Sequence, residues 1–301
     1  MEKRSILHML DPTPYNSPFD INIAVDAGFD VIVPYNNVKL DSVRGLTQDA
    51  IFSRGPSGVK QTALFIGGRD IGLAIDMLKA AKRAMVPPFE ISVFADPSGA
   101  FTTAAALVAC VEQLLREKHN KTLANCRAVV FGGTGPVGIA TGVIASLHGA
   151  QTLLTDHLSQ HNAQDVAVQY SRMFGTKLTG VLAANDHDKI ALIQETDIVF
   201  CTAKAGIQVL SQDILAHAEQ LKVAGDVNAV PPLGIQGITL YDRGTPLLGA
   251  TRVANAVGLG ALAVGNVKYQ LQHALLKLMR DSEQPVYLDF REAFTVARTL
   301  V

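Results

Sequence analysis

A glycine-rich segment carries the most specific chemistry in this chain. Gly133, Gly135 and Gly138 follow the apolar run Val129–Phe131 with G-x-G-x-x-G spacing, and an Ala/Ile/Val-rich stretch follows them. Glycines so spaced permit a tight turn, close approach of a pyrophosphate and close helix–strand packing, and the N–H groups of the following helix face the phosphates. The context predicts a dinucleotide site, although a glycine turn without a ligand is the simpler alternative. The predicted phosphate-binding residues are Gly133, Thr134, Gly135, Pro136, Val137 and Gly138.

An acidic residue follows at the distance expected for nucleotide selection. Asp156 directly follows the run Thr152–Thr155 and lies roughly 20 residues beyond the glycines. An acid there accepts hydrogen bonds from the ribose hydroxyls of NAD and repels the 2′-phosphate of NADP. The nearest group that could receive such a phosphate is His157. We therefore expect NAD to be preferred over NADP, and a cap or turn role for Asp156 stays open.

Two later loops are expected beside the same ligand. They follow the predicted strands Ile198–Thr202 and Val223–Asp226. Ligands of open α/β sheets bind outside the carboxyl ends of the strands. Ordinary turn chemistry would account for both loops equally well. The predicted contacts are Thr202, Ala203, Lys204, Asp226 and Asn228.

The elements that position these residues alternate between short β-rich runs and longer helical patterns. Further strands are predicted at Ser5–Leu10, Val31–Val33, Thr62–Ile66, Phe89–Ala95, Ala128–Phe131, Thr152–Thr155 and Leu178–Leu182. Such alternation predicts an α/β fold with parallel sheets covered by helices. The polar stretch Arg116–Lys121 predicts a boundary between two α/β domains. Residues 1–118, with 270–301 returning, form one domain, and residues 119–269 form a Rossmann-type domain.

Composition limits the partners and the compartment. There are 26 Lys and Arg against 27 Asp and Glu, so the net charge is −1, which argues against binding to nucleic acid or to an anionic membrane surface. The longest uncharged stretch, Ala128–Thr155, is interrupted by Pro136, His148 and glycines, so we expect no membrane span. Three separated cysteines and an N-terminus without a signal-peptide pattern predict a cytoplasmic protein. The scattered histidines predict no metal site.

Several segments together resemble the bacterial NAD(P)-dependent methylene-tetrahydromethanopterin dehydrogenases. These are Asp96–Ala106, Gly133–Gly138, Asp226–Ile235 and Gly260–Leu262 with Lys268, and the similarity runs nearly end to end. The resemblance implies one domain for a reduced pterin, one for the nucleotide, and a homo-oligomer. It also implies oxidation of a methylene to a methenyl group, with hydride passing to the nicotinamide, in formaldehyde oxidation. Two nitrogens flank the reacting carbon and stabilise the resulting cation, so the protein needs mainly to align the reactants.

Lys268 is the residue that we expect to act at the reacting ring. It ends a long uncharged run, and a cation in apolar surroundings is unfavourable unless it is partnered or functional. The resemblance suggests a lysine beside the pterin, with a positioning or charge-tuning role. A lysine that extends from a helix end to solvent is the alternative.

The other pterin contacts are predicted from side-chain chemistry. Carboxylates accept from the pterin amino group and ring N–H, an aromatic ring stacks on it, and Lys60 meets its acidic tail. At least one of the acids is expected to be only a helix cap, and the two threonines are equally suited to capping. The predicted residues are Asp11, Phe19, Asp20, Lys60, Asp96, Thr102 and Thr103.

Three other functions stay open at this point. Methylene-tetrahydrofolate shares the pterin head, so sequence discriminates poorly between the two carriers. A shikimate-type dehydrogenase needs a proton-transferring lysine and acid pair, which cannot be placed here. A nucleotide sensor without turnover is less favoured, because the first domain has strand-end loops of its own, which indicate a second ligand.

Overall fold

A computed structural model describes residues 4–301 and confirms the predicted α/β class with parallel sheets. The strands are β1 Ile6–Leu10, β2 Val31–Tyr35, β3 Thr62–Ile66, β4 Ser92–Ala95, β5 Arg127–Phe131, β6 Gln151–Asp156, β7 Leu178–Leu182, β8 Ile198–Cys201, β9 Val223–Asp226, β10 Arg243–Pro246, β11 Val257–Leu259 and β12 Tyr287–Leu288. The helices are α1 Pro18–Asp26, α2 Val43–Phe52, α3 Pro56–Val59, α4 Ile71–Ala84, α5 Ala100–His119, α6 Pro136–Leu147, α7 Gln160–Phe174, α8 Asp186–Gln194, α9 Gln212–Leu215, α10 Ala261–Asp281 and α11 Phe290–Leu300. Two 3₁₀ turns cover Leu40–Ser42 and Pro97–Gly99.

The described chain divides into two compact units. The N-terminal unit holds residues 4–102 with Tyr269–Val296 and Leu300, and the central unit holds Thr103–Lys268 with Ala297–Thr299 and Val301. The first division lies inside α5 and not at residue 118, where the sequence predicts it. Residues 116–119 of the polar stretch form the last turn of that helix, where the basic residues Arg116, Lys118 and His119 complement the helix dipole.

The N-terminal unit is built on a five-stranded parallel sheet. Its strand order is β12-β4-β3-β1-β2. In this register Leu10 pairs with Ile66 and Ile66 pairs with Ala95, so β1, β3 and β4 end at the same edge. Strand β4 begins at Ser92 and not at Phe89, because Phe89 pairs with Val86 in a separate bridge.

The central unit has a seven-stranded sheet of the doubly wound type. Its order is β10-β11-β9-β8-β5-β6-β7, and all pairs are parallel except β10 with β11. Within this sheet the first strand in sequence, β5, lies in the middle. Strands β6 and β7 follow on one side of it, and the chain then crosses to place β8 and β9 on the other side. Ligands of such sheets bind at this switch point, outside the carboxyl ends of the strands.

The segment Pro97–His119 is long and apolar enough to cross a membrane by length and composition alone. However, 83% of its most apolar window is buried inside the protein. The side chains of Phe101, Leu107 and Val111 are fully buried. The segment is therefore a helix of the protein core.

Candidate active site

The glycine turn connects β5 to α6, and two of its glycines are required by contacts within the chain. A Cβ on Gly133 would lie 2.7 Å from the backbone N of Thr155 and 2.8 Å from Cα of Leu154, at the end of β6. A Cβ on Gly138 would overlap the carbonyl oxygen of Gly132. These two positions therefore allow the close packing of turn, strand and helix that the sequence predicts.

Gly135 differs from these two glycines. It is the N-cap of α6, and a Cβ there would meet only the carbonyl oxygen of Gly132, at 3.5 Å. The fold itself has room for a side chain at this position. A ligand that approaches the backbone would supply the reason for glycine, so the turn fits a bound pyrophosphate. Pro136 and Val137 begin the first turn of α6; Pro136 has no backbone N–H, so the donors available to such a ligand are the N–H groups of the residues that follow it.

Gly132 belongs to the turn but falls outside the predicted set. Its φ is +75°, in the left-handed region that favours glycine, and a Cβ would lie 2.7 Å from the backbone N of Ala203. The hydroxyl of Thr202 donates to the carbonyl oxygens of Phe131 and Gly132 at 3.0 and 3.3 Å. Thr202 and Ala203 thus lie against the glycine turn, as their position after β8 predicts. The doubled glycine in the sequence was the available signal.

Asp156 is buried and uses its carboxylate within the protein. Oδ1 accepts from the backbone N–H groups of Leu158 and Ser159 at 2.7 and 3.0 Å. Oδ2 accepts from the hydroxyl of Thr134 at 3.0 Å and from the side-chain amide of Asn162 at 2.6 Å. Burial opposes ionisation of Asp156, but these hydrogen bonds outweigh it and lower the pKa. Because a carboxylate offers about four acceptor sites, a ribose hydroxyl would have to displace a donor already present.

A cavity of about 370 Å³ opens beside the glycine turn. Its wall combines backbone of the turn with small and apolar side chains, as expected for a nucleotide pocket. Lys189, on the first turn of α8, also lines it and has no counterpart in any sequence motif. The lining includes Gly132, Thr134, Gly135, Thr155, His157, Ala183, Ala184, Lys189, Thr202, Ala203, Lys204 and Ile207.

Asp226 and Asn228 organise the loop after β9. Asp226 is 1% exposed and accepts from the backbone N–H groups of Asn228 and Ile235. Burial raises the pKa of Asp226, although these hydrogen bonds oppose the shift. Asn228 accepts from the N–H groups of Gly206 and Val230. Asp226 therefore orders its own loop, Asn228 also ties this loop to the loop after β8, and direct ligand contact by either stays a prediction.

Two predicted acids lie at the carboxyl edge of the five-stranded sheet. Asp11 follows β1 and accepts from the backbone N–H groups of Thr13 at 2.7 Å and Gly68 at 3.0 Å. Asp96 follows β4, is fully buried, and accepts from the N–H of Phe101 and from the N–H and hydroxyl of Thr102. Asp96 thus caps the start of α5, and Thr102 is its partner. The expectation that at least one acid caps a helix applies to this pair.

Helix α1 supplies two more of the predicted residues. Asp20 is buried and accepts from the side-chain amide of Gln272 on α10 at 2.6 Å. Phe19 is 49% exposed, so its ring is accessible. Thr103 is half-buried on α5. Gln272 is itself fully buried, and sequence reasoning missed it because no motif surrounds it.

Lys60 is not brought to these residues. It is exposed and lies just before the amino end of β3. There it lines a polar cavity with Arg4, Asp30 and Arg280. Asp11 and Asp96 lie at the opposite, carboxyl edge of the same sheet. Lys60 therefore lies apart from Asp11 and Asp96, and this placement gives no support to its predicted contact with the acidic tail of the substrate. Its place just before a predicted parallel strand was the signal for the other edge.

Lys268 lies on α10 and is 8% exposed. It has interaction partners within the protein, so it does not extend freely to solvent. A lysine buried to this extent must be stabilised by its surroundings or serve a function. Within residues 4–301, no cluster of three or more His, Cys, Asp or Glu side chains is arranged to hold a metal ion.

Comparison with known proteins identifies relatives along nearly the whole chain. The family "Methylene-tetrahydromethanopterin dehydrogenase, N-terminal" matches residues 18–98. The NAD(P)-dependent methylenetetrahydromethanopterin dehydrogenase of Methylorubrum extorquens is 44% identical over 98% of this chain and 98% of its own. The bifunctional protein MdtA of the same organism is 29% identical over 99% of both chains.

A solved structure supports the fold independently. Shikimate 5-dehydrogenase from Listeria monocytogenes superimposes with a TM-score of 0.51 over 97% of this chain and 96% of its own, at 13% identity. This likeness concerns the architecture alone. Sequence identity of 44% over nearly the full length decides the family, and the chain belongs to the NAD(P)-dependent methylenetetrahydromethanopterin dehydrogenases.

Proposed function

We propose that this protein oxidises methylene-tetrahydromethanopterin to methenyl-tetrahydromethanopterin and passes a hydride to NAD or NADP. The observation that carries the proposal is the identity of 44% over 98% of both chains to a dehydrogenase of this name. The C–H bond of the methylene carbon breaks, both electrons leave with the hydride, and the two adjacent nitrogens stabilise the cation. The reaction belongs to one-carbon metabolism, and we place it in cytoplasmic formaldehyde oxidation.

The central unit has the features that a nicotinamide dinucleotide requires. When bound, the dinucleotide supplies the hydride acceptor. Gly135 leaves the backbone open to the pyrophosphate, and the N–H groups at the start of α6 donate to it. Thr134 is held by Asp156, and Thr202 is held against Gly132, so the walls of the pocket are fixed before binding. Prior fixing of contact groups lowers the entropy lost on binding.

We further propose that NAD is preferred and NADP is accepted. The ionised Asp156 places a negative charge beside the glycine turn, which disfavours a 2′-phosphate even though the carboxylate is occupied by internal donors. The preference is therefore electrostatic and moderate.

The pterin is proposed to bind at the carboxyl edge of the five-stranded sheet. The match to the N-terminal family domain covers residues 18–98, which supply β2, β3 and β4 of that sheet. Asp11 and Asp20 are suited to accept from pterin N–H groups, and the accessible ring of Phe19 is suited to stacking. Asp96 and Thr102 act through the shape of the loop after β4, because their polar atoms bond to one another. Lys268 is proposed as the residue that positions the reacting ring.

A turnover assay with purified protein tests the proposal directly. Methylene-tetrahydromethanopterin is supplied with NAD or with NADP, and formation of the reduced nicotinamide is followed by its absorbance. We expect turnover with both nucleotides and a larger kcat/KM with NAD. Methylene-tetrahydrofolate serves as the second carrier. Turnover with the folate alone would overturn the substrate assignment, and failure with both carriers would overturn the reaction. The same preparation analysed by light scattering tests the expected homo-oligomer.

A further inference from the structure

Lys189 lies at an energetically unfavourable position that the reaction does not explain. It is the fourth residue of α8, at the helix end where a positive charge is disfavoured by the helix dipole. Its side chain is 19% exposed and forms part of the cavity wall together with Ala183, Ala184 and Ile207. A lysine side chain that is mostly covered and lies among apolar side chains requires compensation for its charge.

The compensation within the protein is incomplete. Among the described residues, the Lys189 ammonium has one carboxylate partner, Asp186, with Nζ 3.3 Å from Oδ1. Asp186 is 73% exposed, so water screens this ion pair and it contributes little. The cavity side of Lys189 is therefore suited to a second anion.

The position of Lys189 in the sheet identifies which anion that would be. Among the cavity residues, Thr155 is the next-to-last residue of β6 and His157 follows that strand. Ala183 and Ala184 follow β7. This side of the switch point is the adenosine side, because the acid after the second strand faces the ribose. Lys204, the other lysine of the wall, follows β8 on the opposite side and is exposed. The adenosine of NADP differs from that of NAD by a 2′-phosphate.

We propose that Lys189 binds the adenosine 2′-phosphate of NADP and thereby sets the NADP affinity, in opposition to the charge of Asp156. This rests on the proposed use of NAD(P). Asp186 competes with the phosphate for the same ammonium group. The two acids and the lysine together account for acceptance of both nucleotides.

Binding of nucleotide fragments, measured by calorimetry, tests the assignment without turnover. Adenosine 2′,5′-bisphosphate carries the extra phosphate and adenosine 5′-monophosphate lacks it. Lys189→Met should weaken the bisphosphate by roughly tenfold or more, as expected for a lost charge-assisted contact, and leave the monophosphate unchanged. Asp186→Asn should strengthen the bisphosphate alone. Lys177→Met removes an exposed lysine beside the amino end of β7 and is the matched control.

Each outcome has one meaning. Equal weakening of both fragments by Lys189→Met would make Lys189 a wall of the adenine pocket and overturn the proposal, as would no change in either. If Lys189→Met does not fold, Asp186→Asn decides, because an unchanged bisphosphate affinity in that variant is itself contrary. Wild-type protein that binds neither fragment would overturn this inference together with the NAD(P) assignment. Wild-type protein that binds both but oxidises no pterin would overturn only the proposed reaction.

Discussion

The carboxyl edges of the two sheets use their polar residues differently. At the seven-stranded sheet, Asp156 and Thr134 hold one another, and the backbone of Gly135 stays open beside a cavity. At the five-stranded sheet, Asp96 and Thr102 also hold one another, and the two glycines that follow β3, Gly67 and Gly68, are closed off by the side chains of Asp11 and Pro12. The carboxyl edge of the seven-stranded sheet, the proposed nucleotide edge, therefore offers mainly backbone donors. The carboxyl edge of the five-stranded sheet, the proposed pterin edge, must use side chains that come from separate elements.

This difference explains how far each site can be inferred. A site made of backbone is fixed by local sequence, because glycine spacing and the following helix determine it. A site made of side chains depends on which loops the fold brings together. We therefore expect substitutions at the nucleotide edge to change binding through the local shape of the backbone. Substitutions at the pterin edge should change binding through the loss of individual side-chain contacts.

The largest effect is expected at the glycine turn, from a pair of substitutions. Gly133→Ala places a Cβ 2.7 Å from the backbone N of Thr155 and should destabilise the protein by about 1–3 kcal/mol, the usual range for overpacking. Gly135→Ala meets no atom closer than 3.5 Å and should leave the melting temperature unchanged while NAD binding is lost. Thermal unfolding and calorimetric titration with NAD measure the two effects. NAD affinity of wild-type strength in Gly135→Ala would show that the pyrophosphate does not approach this backbone.

Lys268→Met should give the next largest effect, on the pterin side. We expect kcat or carrier affinity to fall roughly tenfold or more, the loss typical of one charge-assisted contact, with NAD affinity intact. Steady-state kinetics at varied concentrations of methylene-tetrahydromethanopterin measure the effect on the pterin side. Calorimetric titration with NAD measures the nucleotide affinity separately. The control is Lys277→Met, which removes an exposed lysine from the same helix. Equal kinetics in both variants would leave Lys268 with a structural role alone.

Asp156→Asn should give a smaller effect that depends on the nucleotide. The amide provides one acceptor oxygen where the carboxylate provides two, so either Thr134 with Asn162 or the backbone N–H groups lose their partner. NAD affinity should fall by about two- to tenfold, the range for a neutral hydrogen bond. NADP should lose less, because a repelling charge is removed as well. The ratio of the two dissociation constants is the measurement, and an unchanged ratio would remove Asp156 from nucleotide selection.

The sequence predicts the nucleotide edge in detail but not the internal partners of its acid. Strands β3, β7 and β9 have the predicted bounds, because their apolar runs and flanking polar residues are unambiguous. That Asp156 is occupied by Thr134 and Asn162 follows from the way α7 packs after β6, which no local pattern reveals. Lys189 gives no local signal either, since its importance arises from the cavity that α8 borders.

The pterin edge was predicted less completely, and for a physical reason. Asp11 and Asp96 each follow an apolar strand and Asp20 lies on α1, but side-chain chemistry alone does not separate a capping acid from a binding one. Asp96 is the capping residue because its carboxylate accepts from the backbone N–H groups of Phe101 and Thr102 at 2.9 and 3.1 Å. Gln272 was missed because it reaches Asp20 from a helix about 250 positions later in the chain.

The smallest effect is expected from Lys60→Met, which tests the polarity of the five-stranded sheet. Lys60 lies beside the amino end of β3, and Asp11 lies beside the carboxyl end of β1. Because these strands are parallel, the two residues are at opposite edges of the sheet, and a ligand bound at Asp11 is not expected to contact Lys60. The KM for methylene-tetrahydromethanopterin should therefore equal the wild-type value. Asp11→Asn, measured in parallel, should raise this KM. A raised KM in Lys60→Met with normal stability would mean that the acidic tail of the carrier extends around the unit to the amino edge of the sheet. The pterin would then have a second contact, distant from the carboxyl edge.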